Sequence, residues 1–176
     1  MIYFIAIVVI IAILLIIFIS IDNHFKTLLI KINAAFLNCT NSLSRKKDLV
    51  LKIIEQLDNK EKEKVLNIKS SLEKYEDLFD FYSKLEKSSF DINNILESHP
   101  SYNENHKLND LLIDLSDIQD ELDADNNYYN DNVIIYNNLV KSFPSNIVSL
   151  IKKYKNKCIF EKIKMEKYKI LKEDNQ

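Results

Sequence analysis

The chain opens with a run of apolar side chains that no charged residue interrupts before Asp22. Residues 2–21 read IYFIAIVVIIAILLIIFISI. At 1.5 Å per residue, a helix of this length spans about 30 Å, the hydrocarbon thickness of a bilayer. A cleaved signal peptide is the alternative, but no Lys or Arg precedes the run and no small-residue cleavage site follows it. The pattern predicts a retained transmembrane helix over residues 1–21.

Positive charges lie on the C-terminal side of this segment. Lys26 and Lys31 come first, followed by Arg45, whereas only the α-amino group lies on the other side. The positive-inside rule therefore predicts that the domain after the membrane helix is cytoplasmic.

After Asp22 the apolar positions recur at steps of three and four residues, which is the helical period. The first set predicts that the membrane helix continues into the domain, and it comprises Leu28, Ile32, Ala35, Phe36, Cys39 and Leu43. A turn is expected near 41–48, because Asn41 and Ser42 lower helix propensity and Asp48 is placed to cap a second helix.

The second helix is predicted to begin at Leu49 and to pack through an apolar seam. The seam comprises Val65, Ile68, Leu72, Tyr75, Phe79 and Tyr82. The charged run at 58–64 is either a solvated face of one helix or a break between two. Ser88-Ser89 is predicted to open a further short helix. That helix should end before Pro100, because the residue before a proline avoids the α conformation.

The longest helix is predicted over 103–142. Its seam comprises Leu108, Leu111, Leu115, Ile118, Leu122, Asp125, Tyr129, Asn132, Tyr136, Leu139 and Phe143. Asp125 and Asn132 are polar, so either they pair with another helix or the seam turns toward solvent there. A last helix is expected after Pro144, capped by Ser145 or Asn146.

These patterns predict an all-α fold. An N-terminal transmembrane helix continues into an antiparallel up-and-down bundle of the four-helix type, with long helices and coiled-coil-like seams. The predicted parts are an anchor at 1–21, a bundle at 22–160 and a charged C-terminal tail at 161–176.

The composition excludes several kinds of functional site. The 176-residue chain has a formal net charge of −2 and contains no glycine, so no glycine-rich phosphate-binding loop is present. His24, His99 and His106 stand in no Glu-x-x-His motif, which a di-metal carboxylate bundle requires. Cys39 and Cys158 match no zinc or redox spacing and are expected to be small buried side chains.

An acidic stripe lies on the predicted long helix at Asp110, Asp114, Asp117 and Glu121. It is either a cation site or a solvated outer face, and the second is far more common. The aromatic residues fall in the apolar seams, which argues against a nucleic-acid-binding face. We therefore expect no enzyme activity, no catalytic residue, no bound metal or cofactor, and no nucleic-acid partner.

One stretch is distinctive. Residues 128–146 read YYNDNVIIYNNLVKSFPSN, with Tyr-Asn, a second Tyr-Asn seven residues on, and then Phe-Pro-Ser-Asn. Helical phasing places Tyr129, Tyr136 and Phe143 on one face, where we expect them in the core. Asn130 and Asn137 lie at the border of that face, placed to bond a neighbouring helix or the loop at Pro144.

This stretch resembles the C-terminal signature of the LemA family. LSRKKDLVLKIIE at 43–55, ESHPSY at 97–102 and Phe160-Glu161 are similar to further motifs of that family, in the same order. The resemblance implies a single-pass bacterial membrane protein with a helical bundle, and no established activity or cofactor. The family-motif residues, with an expected structural role, are Arg45, Asp48, Leu49, Pro100, Tyr129, Asn130, Tyr136, Asn137, Phe143 and Pro144.

The chain departs from the family pattern at two pairs of positions. Leu51 and Lys52 stand where the family has Pro and Asn, which removes a proline start from the second helix. Gln119 and Asn126 stand where the family usually has Glu and Arg. Because these two positions are seven residues apart on one helix face, they suggest a structural ion pair replaced by two amides.

Two functions are consistent with this picture. The first is a non-catalytic scaffold or protein-interaction module at the bacterial cell membrane, with membrane or peripheral proteins as partners or with self-association. The alternative is a membrane-bound sensor whose bundle binds a small ligand or ion, and Asp125 and Asn132 motivate it.

Overall fold

The computed structural model describes residues 1–62, 65, 72 and 78–159, and within these ranges the regular structure is helical, without strands. Its helices are α1 (Ile2–Gln56), α2 (Leu78–Ser98), a 3-10 helix (Pro100–Glu104), α3 (His106–Lys141) and α4 (Ser145–Lys152). The fold is all-α, as predicted. The predicted seam positions Ile68 and Tyr75 and the tail at 161–176 lie outside the described residues.

Helix α1 runs without interruption from the apolar segment into the domain, as predicted. The turn expected near 41–48 is wrong. The hydroxyl of Ser42 donates to Asp125 Oδ2 at 3.0 Å, and Leu43 and Val50 are fully buried. Tertiary packing here outweighs the weak local preference of Asn and Ser for a turn. Asp48 is therefore an exposed residue within the helix and not a cap.

The helix is instead interrupted at the charged run. Helix α1 ends at Gln56, Leu57 and Asp58 are not helical, and residues 59–62 are helical again. The N–H of Asp58 donates to the hydroxyl of Tyr102 at 3.0 Å. Of the two readings of this run, the structure supports a break.

Helix α2 passes straight through Ser88-Ser89, so the predicted helix start there is wrong. Both hydroxyls donate to carbonyl oxygens four residues back, at Lys84 and Leu85, which keeps them compatible with a helix interior. The predicted end before Pro100 is confirmed. Asn105 begins α3 by accepting the N–H of Leu108 on its side-chain oxygen at 3.1 Å.

The chain forms two compact units. Unit 1 combines residues 1–36 with the described residues from Asn127 onward, and unit 2 comprises Leu37–Asn126. In each unit α1 and α3 run antiparallel. Residues with increasing numbers along α1 contact residues with decreasing numbers along α3. Unit 1 pairs Phe25 with Tyr136 and Phe36 with Tyr129.

The predicted seams supply the core of both units. The buried seam residues are Leu28, Ile32, Ala35, Cys39, Leu43, Val65, Leu72, Tyr82, Leu108, Leu115, Ile118, Leu122, Tyr129, Asn132 and Tyr136. One aromatic prediction is wrong: Phe143, which was expected in the core, is 81% exposed. Phe143 lies beyond the end of α3 at Lys141, where the helical phase no longer places it over the core.

Helix α4 begins after Pro144, as predicted, but without the predicted side-chain cap. The hydroxyl of Ser145 instead donates to the carbonyls of Leu139 and Ser142, which ties the helix start to the end of α3. Lys153 ends α4 in the left-handed conformation, with φ 59° and ψ 35°. This reversal turns the chain back toward α1.

Candidate functional site

The Tyr-Asn motif of α3 holds the extended segment 154–159 in unit 1. The Asn137 side chain makes two hydrogen bonds to the backbone of Lys157: its Nδ2 donates to the carbonyl at 2.7 Å, and its Oδ1 accepts the N–H at 2.8 Å. The Tyr129 hydroxyl donates to the carbonyl of Cys158 at 3.1 Å. The predicted partner of Asn137, a neighbouring helix or the Pro144 loop, is therefore replaced by the chain that follows α4.

An aromatic cluster lies at the start of this segment. The Phe25 ring packs edge-on against Tyr136, with centroids 5.6 Å apart, and lies tilted by 31° against Tyr154, with centroids 4.6 Å apart. Phe25 is fully buried and Tyr136 is 2% exposed. Because the first residues after the apolar run supply Phe25, the cluster joins that end of α1 to α3 and to the chain after α4.

Asp22 is the polar centre of this cluster. Its Oδ1 accepts the hydroxyl of Tyr154 at 2.8 Å, and its Oδ2 lies 2.7 Å from Lys26 Nζ and 4.0 Å from Lys152 Nζ. The hydrogen bonds from Lys26 and Tyr154 hold the pKa of Asp22 below its usual value. Burial, reinforced by the Asp22 carboxylate, raises the pKa of Tyr154 to about 12.

Unit 2 holds a layer of paired charges between α1 and α3. Arg45 Nη1 donates to both oxygens of Glu121 at 2.7 Å, and Ser42 adds its hydrogen bond to Asp125. Asp125 therefore has a partner on another helix. Asn132, in unit 1, is buried and donates to the carbonyl of Tyr128 at 2.8 Å. Both polar seam residues that motivated the ligand sensor have partners within the chain.

The same unit buries a lysine. Lys46 is 2% exposed, and its ammonium bonds to Glu86 of α2 and to Gln119 of α3. Gln119 also donates to Asp123 at 3.1 Å. The proposed amide pair of Gln119 with Asn126 is thus replaced by partners on either side of Gln119. Asn126 keeps a buried Oδ1 that accepts no hydrogen bond from the described residues.

The acidic stripe forms one wall of a groove in unit 2. Asp114, Asp117 and Glu121 line a cavity of about 390 Å³ together with Arg45, Asp48, Leu49, Lys52 and Ile118. Basic side chains from α1 face the three acidic residues, and Arg45 neutralises Glu121 directly. The predicted motif residues Arg45, Asp48 and Leu49 therefore share one groove.

The remaining predicted residues lie elsewhere. Pro100 is exposed and opens the 3-10 helix after α2. Phe143 and Pro144 are exposed and form a cis peptide between α3 and α4. Asn130 is half-buried on α3. The structure thus distributes the motif residues over four places and does not gather them into one site.

Sequence reasoning missed three residues that the structure makes central: Asp22, Lys46 and Tyr154. Asp22 carried a signal, since it is the first charge after the apolar run. Lys46 looked like part of a basic surface, and Tyr154 stood among lysines. Neither residue has a local pattern that reveals its distant partners.

The fold and the site together define the class of protein. It is an all-α protein whose long N-terminal apolar helix continues into a helical domain. The chain after α4 is held on α3 by Tyr and Asn side chains. The family model described as LemA family matches residues 35–171, so the chain belongs to the LemA family. No protein of curated function matches it.

Proposed function

We propose that this protein is a non-catalytic scaffold or protein-interaction module held at the bacterial cell membrane by residues 1–21, with its domain in the cytoplasm. Within the described residues, α1 is long and apolar enough to cross a membrane. Its apolar side chains from Ile2 to Ile17 are exposed, as expected for a lipid-facing helix. The LemA family match covers residues 35–171, in the domain, and the resemblance to that family implies the same architecture.

Exposed apolar side chains on unit 2 carry the interaction part of the proposal. Phe90 on α2 is 65% exposed and Ile113 on α3 is 60% exposed, although neither belongs to the apolar segment. Isolated apolar residues are common on protein surfaces, but exposed aromatic residues beside a groove are typical anchors of protein–protein contacts.

Phe90 lies at such a groove. It lines a cavity of about 550 Å³ whose apolar members are Leu112 and Leu115 and whose charged members are Lys46, Glu86 and Asp120. Apolar walls give a partner side chain a surface to bury, and the accessible carboxylates of Glu86 and Asp120 can orient it. A helix or extended segment of a partner protein, including a second copy of this chain, suits this groove.

Photo-crosslinking in native membranes tests the proposal. A photoreactive amino acid placed at Phe90 in the full chain should give a discrete crosslinked species, whereas the same group at the exposed Asn94 of α2 should give little. Phe90→Ser should weaken capture of that species but lower the free energy of unfolding by no more than an ordinary surface substitution does, about 0.5 kcal/mol. A strictly monomeric chain with no reproducible crosslink at Phe90 would overturn the proposal.

A further inference from the structure

Helix α4 exposes large apolar side chains, whereas a surface helix of a soluble protein buries its apolar face. Its buried face contains Ser145, Val148 and Ser149, while Ile147, Leu150 and Ile151 are 50%, 80% and 60% exposed. At about 100° per residue, the three exposed apolar residues cover one stripe directly opposite the buried one. The face toward the protein carries two serines and Val148, while the larger apolar residues face outward.

Hydrogen bonds set this orientation. Ser145 Oγ donates to the carbonyl of Leu139 at 2.7 Å, and Ser149 Oγ donates to the carbonyl of Val140 at 3.2 Å. Both serines are thereby tied to the last turns of α3, so the helix cannot roll its apolar stripe inward without breaking these bonds. These hydrogen bonds therefore keep the apolar stripe exposed in the folded chain.

The position of α4 indicates what covers the stripe. Lys152 at its end lies 5.9 Å from the ring centroid of Phe18 and 4.0 Å from Asp22 Oδ2. Phe18 belongs to the apolar segment and Asp22 is the first charge after it. Helix α4 therefore lies beside the residues at which α1 leaves the bilayer.

We infer that α4 is an interfacial helix that places its apolar stripe, with the neighbouring Phe143, in the headgroup region of the bilayer that α1 spans. The inference rests on the proposed membrane anchorage. Helices that lie in the interface combine an apolar face with nearby basic residues. Lys152, Lys153, Lys155 and Lys157 follow the stripe and suit anionic lipid headgroups.

The absence of tryptophan from the chain makes a direct test possible, because a single introduced tryptophan is the only indole reporter. Three full-length variants are compared in phosphatidylcholine vesicles whose acyl chains carry bromine near the headgroup: Leu150→Trp in α4, Ile10→Trp in the apolar segment and Ile113→Trp on unit 2. Bromine quenches tryptophan emission only at short range.

We expect bromolipid to quench Leu150→Trp several-fold more strongly than the control Ile113→Trp, whose position is also exposed. Adding Ile147→Ser and Ile151→Ser to Leu150→Trp should reduce this quenching, whereas adding the matched change Asn146→Ser should not. Phosphatidylglycerol in the vesicles should increase it, because the lysines then have anionic partners.

The outcomes separate this inference from the proposed anchorage. Quenching of Ile10→Trp without quenching of Leu150→Trp would overturn the interfacial position of α4 and leave the anchor standing. No quenching of Ile10→Trp would overturn the anchor itself. A blue-shifted but unquenched Leu150→Trp would mean that protein, such as a second copy, covers the stripe, which also contradicts the inference.

Discussion

A single amide side chain connects the Tyr-Asn motif to the chain after α4. Asn137 presents a donor and an acceptor with the spacing of a peptide group, so it pairs with both the N–H and the carbonyl of Lys157. The segment 154–159 has no regular secondary structure of its own, and these bonds and the Tyr129 hydroxyl supply its described backbone contacts with α3.

Removing that amide should release the segment. Asn137→Ala is expected to cost about 1–3 kcal/mol of stability, because two partly buried backbone groups lose their partner. Hydrogen exchange followed by mass spectrometry should show faster exchange at the Lys157 amide. Asn138→Ala, at an exposed neighbouring position, is the matched control, and unchanged exchange in Asn137→Ala would contradict the role given to this side chain.

Asp22 makes the stability of unit 1 depend on pH. Its native pKa is lowered, so the ionised carboxylate stabilises the folded state above the usual Asp value of about 3.9. That contribution is lost as the pH falls through the lower native pKa, because the folded state must then take up the proton.

Asp22→Asn should therefore lower the thermal midpoint at neutral pH, and the difference from the wild type should shrink as the pH falls below about 4. Thermal unfolding of the full chain in mild detergent, followed by circular dichroism between neutral and acid pH, measures this. The control is Asp131→Asn, an exposed change on α3. A difference that stayed constant with pH would show that the Asp22 carboxylate contributes no charge-dependent stability.

At the scale of the element, buried polar layers explain why α1 tolerates residues that favour a turn. Ser42 and Lys46 point into unit 2, where Asp125, Glu86 and Gln119 meet them. A helix that stopped at 41–48 would lose these partners and the burial of Leu43 and Val50. Helix propensities of ordinary residues differ by less than about 1 kcal/mol per residue, so tertiary packing decides whether this stretch is helical.

The Lys46–Glu86 pair should contribute more than the Arg45–Glu121 pair, because Lys46 is buried while Arg45 is 62% exposed. Glu86→Gln leaves a buried ammonium without its counter-charge and should cost on the order of 2 kcal/mol, below the cost for a fully buried pair since Glu86 is 39% exposed. Glu121→Gln, the matched control, should cost less than about 1 kcal/mol.

Adding Lys46→Met to Glu86→Gln should restore most of that loss, because an apolar side chain needs no counter-charge. Denaturant unfolding of the full-length variants in detergent gives the three free energies. Equal costs for Glu86→Gln and Glu121→Gln would contradict the importance assigned to burial.

At the scale of the whole molecule, the two cysteines give a test of membrane orientation. Cys39 is buried, and burial, with the charge of Asp125, raises the pKa of its thiol to about 11, so it is inert at neutral pH. Cys158 is exposed, which corrects the expectation that both cysteines are buried. The native chain therefore offers one accessible thiol in the part that the structure describes.

If the domain is cytoplasmic, a membrane-impermeant maleimide should label Cys158 only after the cells are permeabilised. Cys158→Ser should abolish the labelling in both conditions and so confirms which thiol reacts. Equal labelling of intact and permeabilised cells would place the domain on the outer side and would contradict the orientation predicted from Lys26 and Lys31.

The amino-acid sequence by itself determined the helical class of the fold and many of the inward-facing positions, since apolar residues at steps of three and four mark one side of a helix wherever it packs. It predicted the continuation of the apolar segment into the domain, the end of α2 before Pro100 and the core positions of Tyr129 and Tyr136. It also indicated the LemA family, which residues 35–171 match.

Only the tertiary structure decided where helices break and what the polar side chains do. Ser42 and Ser88 favour a turn in isolation, yet each finds an acceptor that keeps it in a helix. Lys46 looks like an ordinary surface residue in the sequence, and Asn137 was expected to bond a helix or the Pro144 loop, whereas the folded chain gives them Glu86 and Lys157 as partners. The partners of Ser42, Lys46 and Asn137 lie far from them in sequence, so no local period encodes these pairings, and only folding brings donor and acceptor together.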